Sequence, residues 1–147
     1  MLGFPYDDLE SWRGPYPEET FIHQFELLTE GWKKGLDLLK EYPLPVTEKE
    51  KKAYNGICII AETVYIHLRS TFLQASFIRE RDHACNKNIM KKYVEEELAL
   101  AVRMHFLASR DSRLGFEASN HYFYTLNDLK EKVISCAYLL ERLDENN

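Results

Sequence analysis

The chain has little glycine or proline, six and five residues among 147, which excludes fibrous repeats and low-complexity linkers. It also has no basic surplus. Lys and Arg number 19 against 24 Asp and Glu, a formal net charge of −5. Proteins that grip a phosphate backbone gain from counterion release at a cationic face, and the short basic stretches at Lys49–Lys52 and Lys91–Lys92 are broken by, or run into, Glu. No nucleic-acid partner is expected. No uninterrupted apolar run approaches the roughly 18 to 20 residues of a bilayer span, so no membrane partner is expected either. Cysteines are few, odd in number and far apart. Cys58 and Cys136 sit in apolar helical patterns and Cys85 in a polar connection, which fits reduced thiols in a cytoplasmic protein. The start lacks the basic and apolar regions of a secretion signal. With 45% hydrophobic and 29% charged residues, the chain is globular rather than disordered.

What is present is helical periodicity. Residues 1–16, with Gly3, Pro5, Gly14 and Pro15, read as an irregular N-terminal arm, and 17–147 as a single domain. Pro17, Glu18 and Glu19 suit the first turn of a helix. Phe21, Phe25, Leu28, Trp32, Leu36 and Leu39 then recur at spacings of three and four, predicting an inward stripe. Tyr42-Pro-Leu-Pro45 ends that helix. Thr47 and Glu50 form a capping-box pattern for a second helix over roughly 47–82, about 50 Å long at 1.5 Å per residue. It carries one apolar stripe through Ile57, Ala61, Val64, Leu68, Phe72, Ala75 and Ile78. A second runs through Ile59, Ile66, Leu73 and Phe77. A helix apolar on two sides is central to a bundle or faces a partner, and the Ile59–Ile66–Leu73 side is the expected partner face. A third helix is predicted over 88–109, with Glu95-Glu96-Glu97 as solvated surface. A fourth, capped by Thr125 and Asp128, carries the seam Leu126, Leu129, Val133, Cys136, Leu140 and Leu143. The expected fold is all-α: an antiparallel four-helix bundle with a long loop before its last helix.

That loop, Arg110 to Tyr124, lacks a helical period but is rich in directional hydrogen-bonding groups: Arg113, Glu117, Asn120 and His121, with Tyr122 and Tyr124 as flat amphipathic faces. Carboxylate and amide groups meet sugar hydroxyls while aromatic faces cover C–H patches, and long loops in compact domains usually serve a purpose. The other reading closes the bundle's end, with Arg113 and Glu117 paired internally and the tyrosines packed on helix ends. A second polar cluster, His67, Arg69 and Arg79 with Gln74, lies on the long helix. Arg69 follows an apolar run and needs an acidic partner, for which Glu62 and Glu117 are candidates; a structural pair is expected before a binding one.

No metal or other cofactor is expected. Di-iron bundles need Glu-x-x-His on two helices, and Glu80-x-x-His83 is the one such spacing. His-Glu-x-x-His and Gly-x-Ser-x-Gly are both absent, so the isolated chain is expected to be non-catalytic.

The stretch Asp111-Ser-Arg-Leu-Gly-Phe-Glu-Ala-Ser-Asn-His-Tyr-Phe-Tyr124, followed by Asp128-Leu-Lys-Glu-Lys-Val133, resembles the C-terminal helical region of large bacterial proteins related to glycoside hydrolases. Thr20–Phe25, Trp32–Leu39, His67–Ser70 and Phe77–Arg79 add weaker matches. The resemblance implies a helical module that follows a glycosidase-like catalytic domain. The leading expectation is therefore a non-catalytic module that packs against such a domain or against another copy of itself. The alternative is a small stand-alone domain that binds a sugar or similar polar ligand through residues 110–124.

Overall fold

The computed structural model describes residues 8–43, 45–114 and 125–145. These residues are all-helical, in five packed α-helices: α1 Leu9–Arg13, α2 Glu18–Glu41, α3 Glu48–Arg79, α4 Lys87–Arg110 and α5 Leu126–Glu145. The local signals work as their chemistry requires. Thr47 Oγ1 accepts from the Glu50 amide at 3.3 Å, and Glu50 Oε2 accepts from the Thr47 amide at 3.1 Å. Thr125 and Asp128 repeat the arrangement at 3.2 and 3.1 Å. Each box satisfies amides that the first helical turn leaves without partners.

Two boundaries differ from expectation. The N-terminal arm holds a helix: Asp8 caps α1 by accepting from the Ser11 amide at 2.9 Å, and Leu9 is buried. Trp12 stacks edge-on to Phe21 with ring centroids 5.0 Å apart, so the arm is tied to α2 by apolar contact. The long helix also overruns its expected end. It continues through a π turn, Glu80–Ala84, which closes at Cys85 in the left-handed region (φ 51°). Asn86 then caps α4 by accepting from the Asn88 and Ile89 amides.

Helices α2 to α5 pack mainly on their sequence neighbours and run antiparallel to them, and the short α1 packs on both α2 and α3. Trp32 Nε1 donates to the Ala61 carbonyl and Tyr54 Oη to the Leu39 carbonyl, which sets α2 against α3. Arg69–Glu96 and Glu62–Arg103 set α3 against α4, and Lys91–Asp144 sets α4 against α5. Among the described residues α2 and α5 have no Cα–Cα approach within 8 Å.

The core is two clusters on either side of α3. One holds Leu9, Ile22, Phe72, Leu73, Ala75 and Ile78. The other holds Ile66, Met104, Leu107 and Leu129, and Leu100 packs against both. Burial corrects two expected faces. On α2 the expected stripe faces inward only in part: Leu36 is buried and Phe21 and Phe25 pack on the core, whereas Leu28 and Trp32 are exposed and Ile22 and Thr29, outside the stripe, are buried. On α3, Ile66 and Leu73 are intrachain core rather than a partner face, and the apolar residues left in solvent are Ile57 and Ile60.

The helix Glu48–Ala84 contains an 18-residue window of mean hydropathy 1.2, of which 17% is buried. By length and composition alone it is able to cross a bilayer, a test that core helices of water-soluble proteins also pass. Glu62 and Arg69 interrupt its apolar sequence, so no uninterrupted run of that length occurs in it.

Leu73 is 1% exposed and Leu38 is 68% exposed. Leu73→Ala is expected to lower unfolding free energy in urea by about 3 kcal/mol, through lost transfer energy and a cavity. Leu38→Ala is expected to change it by less than about 0.5 kcal/mol. Equal effects would show that α3 is not the packed centre.

Candidate functional site

Four polar side chains meet where α3, α4 and α5 converge. Ser70 Oγ donates to Glu97 Oε1 at 2.6 Å, and Gln74 Nε2 donates to Ser70 Oγ at 2.9 Å. Lys132 bonds both the Glu97 carboxylate and Ser70 Oγ. Glu97 is 7% exposed, and its Oε2 is buried with no hydrogen-bond partner among the described residues. A carboxylate so shielded persists as an ion only when a cation stands beside it, and Lys132, partly exposed itself, supplies that charge.

The expectation of a solvated Glu95-Glu96-Glu97 run is therefore corrected. Glu95 is exposed, Glu96 forms a bidentate pair with Arg69 at 2.6 and 2.7 Å, and Glu97 points inward. The sequence carried a usable signal. Glu97 falls three residues after Val94 and four before Ala101, both buried, so the 3.6-residue period places it on the core face. Lys132 lies likewise between Leu129 and Cys136. Ser70 and Gln74 stand four apart on the facing side of α3.

Beside this network is a pocket of about 240 Å³ walled by Leu73, Phe77, Tyr93 and Leu139, with Glu97 and Lys132 along one side. It is smaller than the roughly 300–1,000 Å³ of most ligand sites, and its walls offer a saccharide few polar partners. Burial and the neighbouring Glu97 push the Cys136 thiol pKa upward, so this cysteine is less nucleophilic than a free one.

The expected polar cluster of α3 is not brought together. Arg69 turns to α4, where the Glu96 hydrogen bonds raise its pKa, and its guanidinium lies 4.9 Å from the Phe72 ring centroid. Its partner is Glu96 rather than Glu62, which pairs with Arg103 at 2.8 and 2.7 Å. His67 lies on another side of the helix, where shielding by its surroundings and then the Lys132 charge lower its pKa. Arg79 makes no ion pair among the described residues.

Of the side chains expected to bind a ligand in the loop only Arg113 is described; Glu117, Asn120, His121, Tyr122 and Tyr124 lie outside the described residues. Arg113 is exposed and its guanidinium grips Asp111 at 2.9 and 2.6 Å. Those bonds hold the Asp111 carboxyl down to a pKa of about 2. The pair's contribution to stability is thus present above the ordinary aspartate range and is lost as pH falls through about 2.

A wider concave surface than the pocket beside Glu97 lies elsewhere, on the outer side of α2 and α3. It is a groove of about 650 Å³ lined by Gln24, Leu27, Leu28, Gly31, Trp32, Gly35, Leu36, Leu39 and Ala61. Leu27, Leu28 and Trp32 are 47%, 53% and 41% exposed, and on α3 Ile57 and Ile60 are also exposed. No lining residue is charged. Among the described residues no three His, Cys, Asp or Glu side chains come together in a metal-binding arrangement. No protein-family model, curated protein or solved structure matches the chain.

Lys132→Met leaves Glu97 without its cation. It is expected to destabilise the fold by about 2 kcal/mol, less than for a fully buried pair because Lys132 is partly solvated. Adding Glu97→Leu to that variant is expected to recover most of the loss in urea denaturation. Additive losses would mean the two groups do not act as a pair.

Proposed function

We propose that this chain is a non-catalytic helical module that works by docking its α2–α3 face on another folded protein surface. The observation that carries the reading is the uncharged groove along which Leu27, Leu28 and Trp32 stand substantially in solvent. Contiguous exposed apolar surface of this kind marks interaction sites in water-soluble proteins. The architecture beneath it is read as an antiparallel four-helix bundle left open between α2 and α5. The charge pattern of α2 favours a second copy of the chain as occupant. A glycosidase-like catalytic domain, which the sequence resemblance suggests, is the other occupant that experiment separates. Three free cysteines suit a cytoplasmic setting.

In sedimentation velocity the full chain is expected to associate. Leu28→Glu, at an exposed position, is expected to sediment as a monomer with an unchanged melting midpoint. A chain that stays monomeric but binds a hydrophobic dye, with binding lost in Leu28→Glu, keeps the docking role and points to a different protein partner. A monomer that binds no dye removes the docking reading altogether.

A second reading, a small domain that binds a sugar through residues 110–124, rests on the directional side chains of that segment, where the exposed Arg113 keeps Nη1 outside its pair with Asp111. Calorimetric titration with a saccharide panel is then expected to give heat that Arg113→Ala abolishes. No heat at millimolar ligand ends this reading.

A further inference from the structure

We infer that the α2 face is a homodimer interface in which two α2 helices cross antiparallel near Gly31 and Trp32; this rests on the docking reading above and names its occupant. At 100° per residue, the Ile22–Thr29–Leu36 ridge faces α3. The opposite side of α2 carries Gln24, Leu27, Leu28, Gly31, Gly35 and Leu38, all exposed and none charged.

Gly31 and Gly35 stand one turn apart at the centre of that side. A methyl group added at either would meet nothing within 4 Å, so no contact inside the chain calls for glycine. Glycine in a helix interior is nevertheless unfavourable by roughly 1 kcal/mol relative to alanine. A second helix backbone approaching closely is a physical reason for both.

The charges select the partner and its direction. His23, Glu30, Lys34 and Glu41 lie along one flank of the uncharged side, and the other flank is apolar where it turns toward α3. Glu30 and Lys34 are symmetric about Trp32, two residues before and two after it; His23 and Glu41 are symmetric about the same residue, nine before and nine after. When two such helices cross antiparallel about that point, like flanks meet. Glu30 of one copy then stands opposite Lys34 of the other, and His23 opposite Glu41, each pair formed twice.

A parallel crossing would set the charged flank against the apolar one and leave these groups unmatched. Within one chain the adjacent Lys33 and Asp37 close their i,i+4 pair at 2.6 Å. Glu30 and Lys34, at the same spacing, make no ion pair among the described residues. They are thus open to an intermolecular partner, while His23 also reaches Glu26 at 3.0 Å. Self-complementary pairing of this kind belongs to two-fold interfaces, where each contact occurs twice.

Sedimentation equilibrium on the full chain tests the inference. Wild type is expected to be dimeric at about 100 µM. Glu30→Lys and Lys34→Glu are each expected to raise the dissociation constant about tenfold at low salt, since each turns two attractions into repulsions. The double variant carrying both changes is expected to restore wild-type affinity. Gly31→Leu is expected to dissociate the dimer while circular dichroism and the melting midpoint show an intact fold. A monomeric wild type overturns the inference and leaves docking on another protein open. A dimer that Leu28→Glu dissociates but that ignores both charge reversals overturns the antiparallel register while the docking face stands.

Discussion

Burial of α3 between Ile66 and Ile78 is the constraint on which the rest of the structure depends. Over that stretch the helix presents Phe72, Ala75 and Ile78 to α1 and α2, and Ile66 to α4 and α5, while Leu73 is nearly sealed. Helices α1, α2 and α4 approach it directly, while α5 is held chiefly by α4 and reaches α3 through side chains. The first half of α3 has α2 on one side and little else, so Ile57 and Ile60 remain in solvent. The apolar groove follows from this geometry: one helix, half enclosed and half flanked, beside an α2 whose own outer side is uncharged.

The polar interior of the α4–α5 seam has a different logic. Glu97 and Lys132 occupy positions where helical period calls for apolar residues, and each satisfies the other's charge with Ser70 and Gln74 completing the network. A buried ion pair adds little net stability over a well-packed apolar one, but it penalises any register that separates the partners. Two helices with similar apolar seams gain a fixed alignment from it. Arg69–Glu96 and Glu62–Arg103 fix the α3–α4 alignment from the exposed side in the same manner.

The parts of this arrangement legible in the sequence were those set by local chemistry. Thr47 with Glu50 and Thr125 with Asp128 mark helix starts because the donors and acceptors involved lie within one turn. The proline pair at 43 and 45 acts over equally short range. Rotation of a helix about its axis is set by distant partners, and it was misread on α2. There the stripe of Phe21, Phe25, Leu28, Trp32, Leu36 and Leu39 is inward at Phe21, Phe25 and Leu36, but Leu28 and Trp32 are exposed while Ile22 and Thr29 are buried. Helix α1 was missed because five residues carry too little period to register; burial of Leu9 and the ring contact of Trp12 hold it. Glu97 was legible in principle, but a run of three glutamates suggests solvent unless the spacing to Val94 and Ala101 is weighed first. Of the groups expected in a sugar-binding loop, Arg113 alone lies within the described residues.

Most backbone approach among the described residues joins helices adjacent in sequence, with α1 also reaching α3 and Lys132 of α5 reaching Ser70, and this bears on how the chain folds. Interactions between near neighbours along the chain lose little loop-closure entropy before their contacts form, and topologies of this type reach the native state in microseconds to milliseconds. Assembly is then able to proceed as a zipper from the α3–α4 hairpin outward in both directions. The outermost helices would join last, and local opening in the native state would begin at the same two edges.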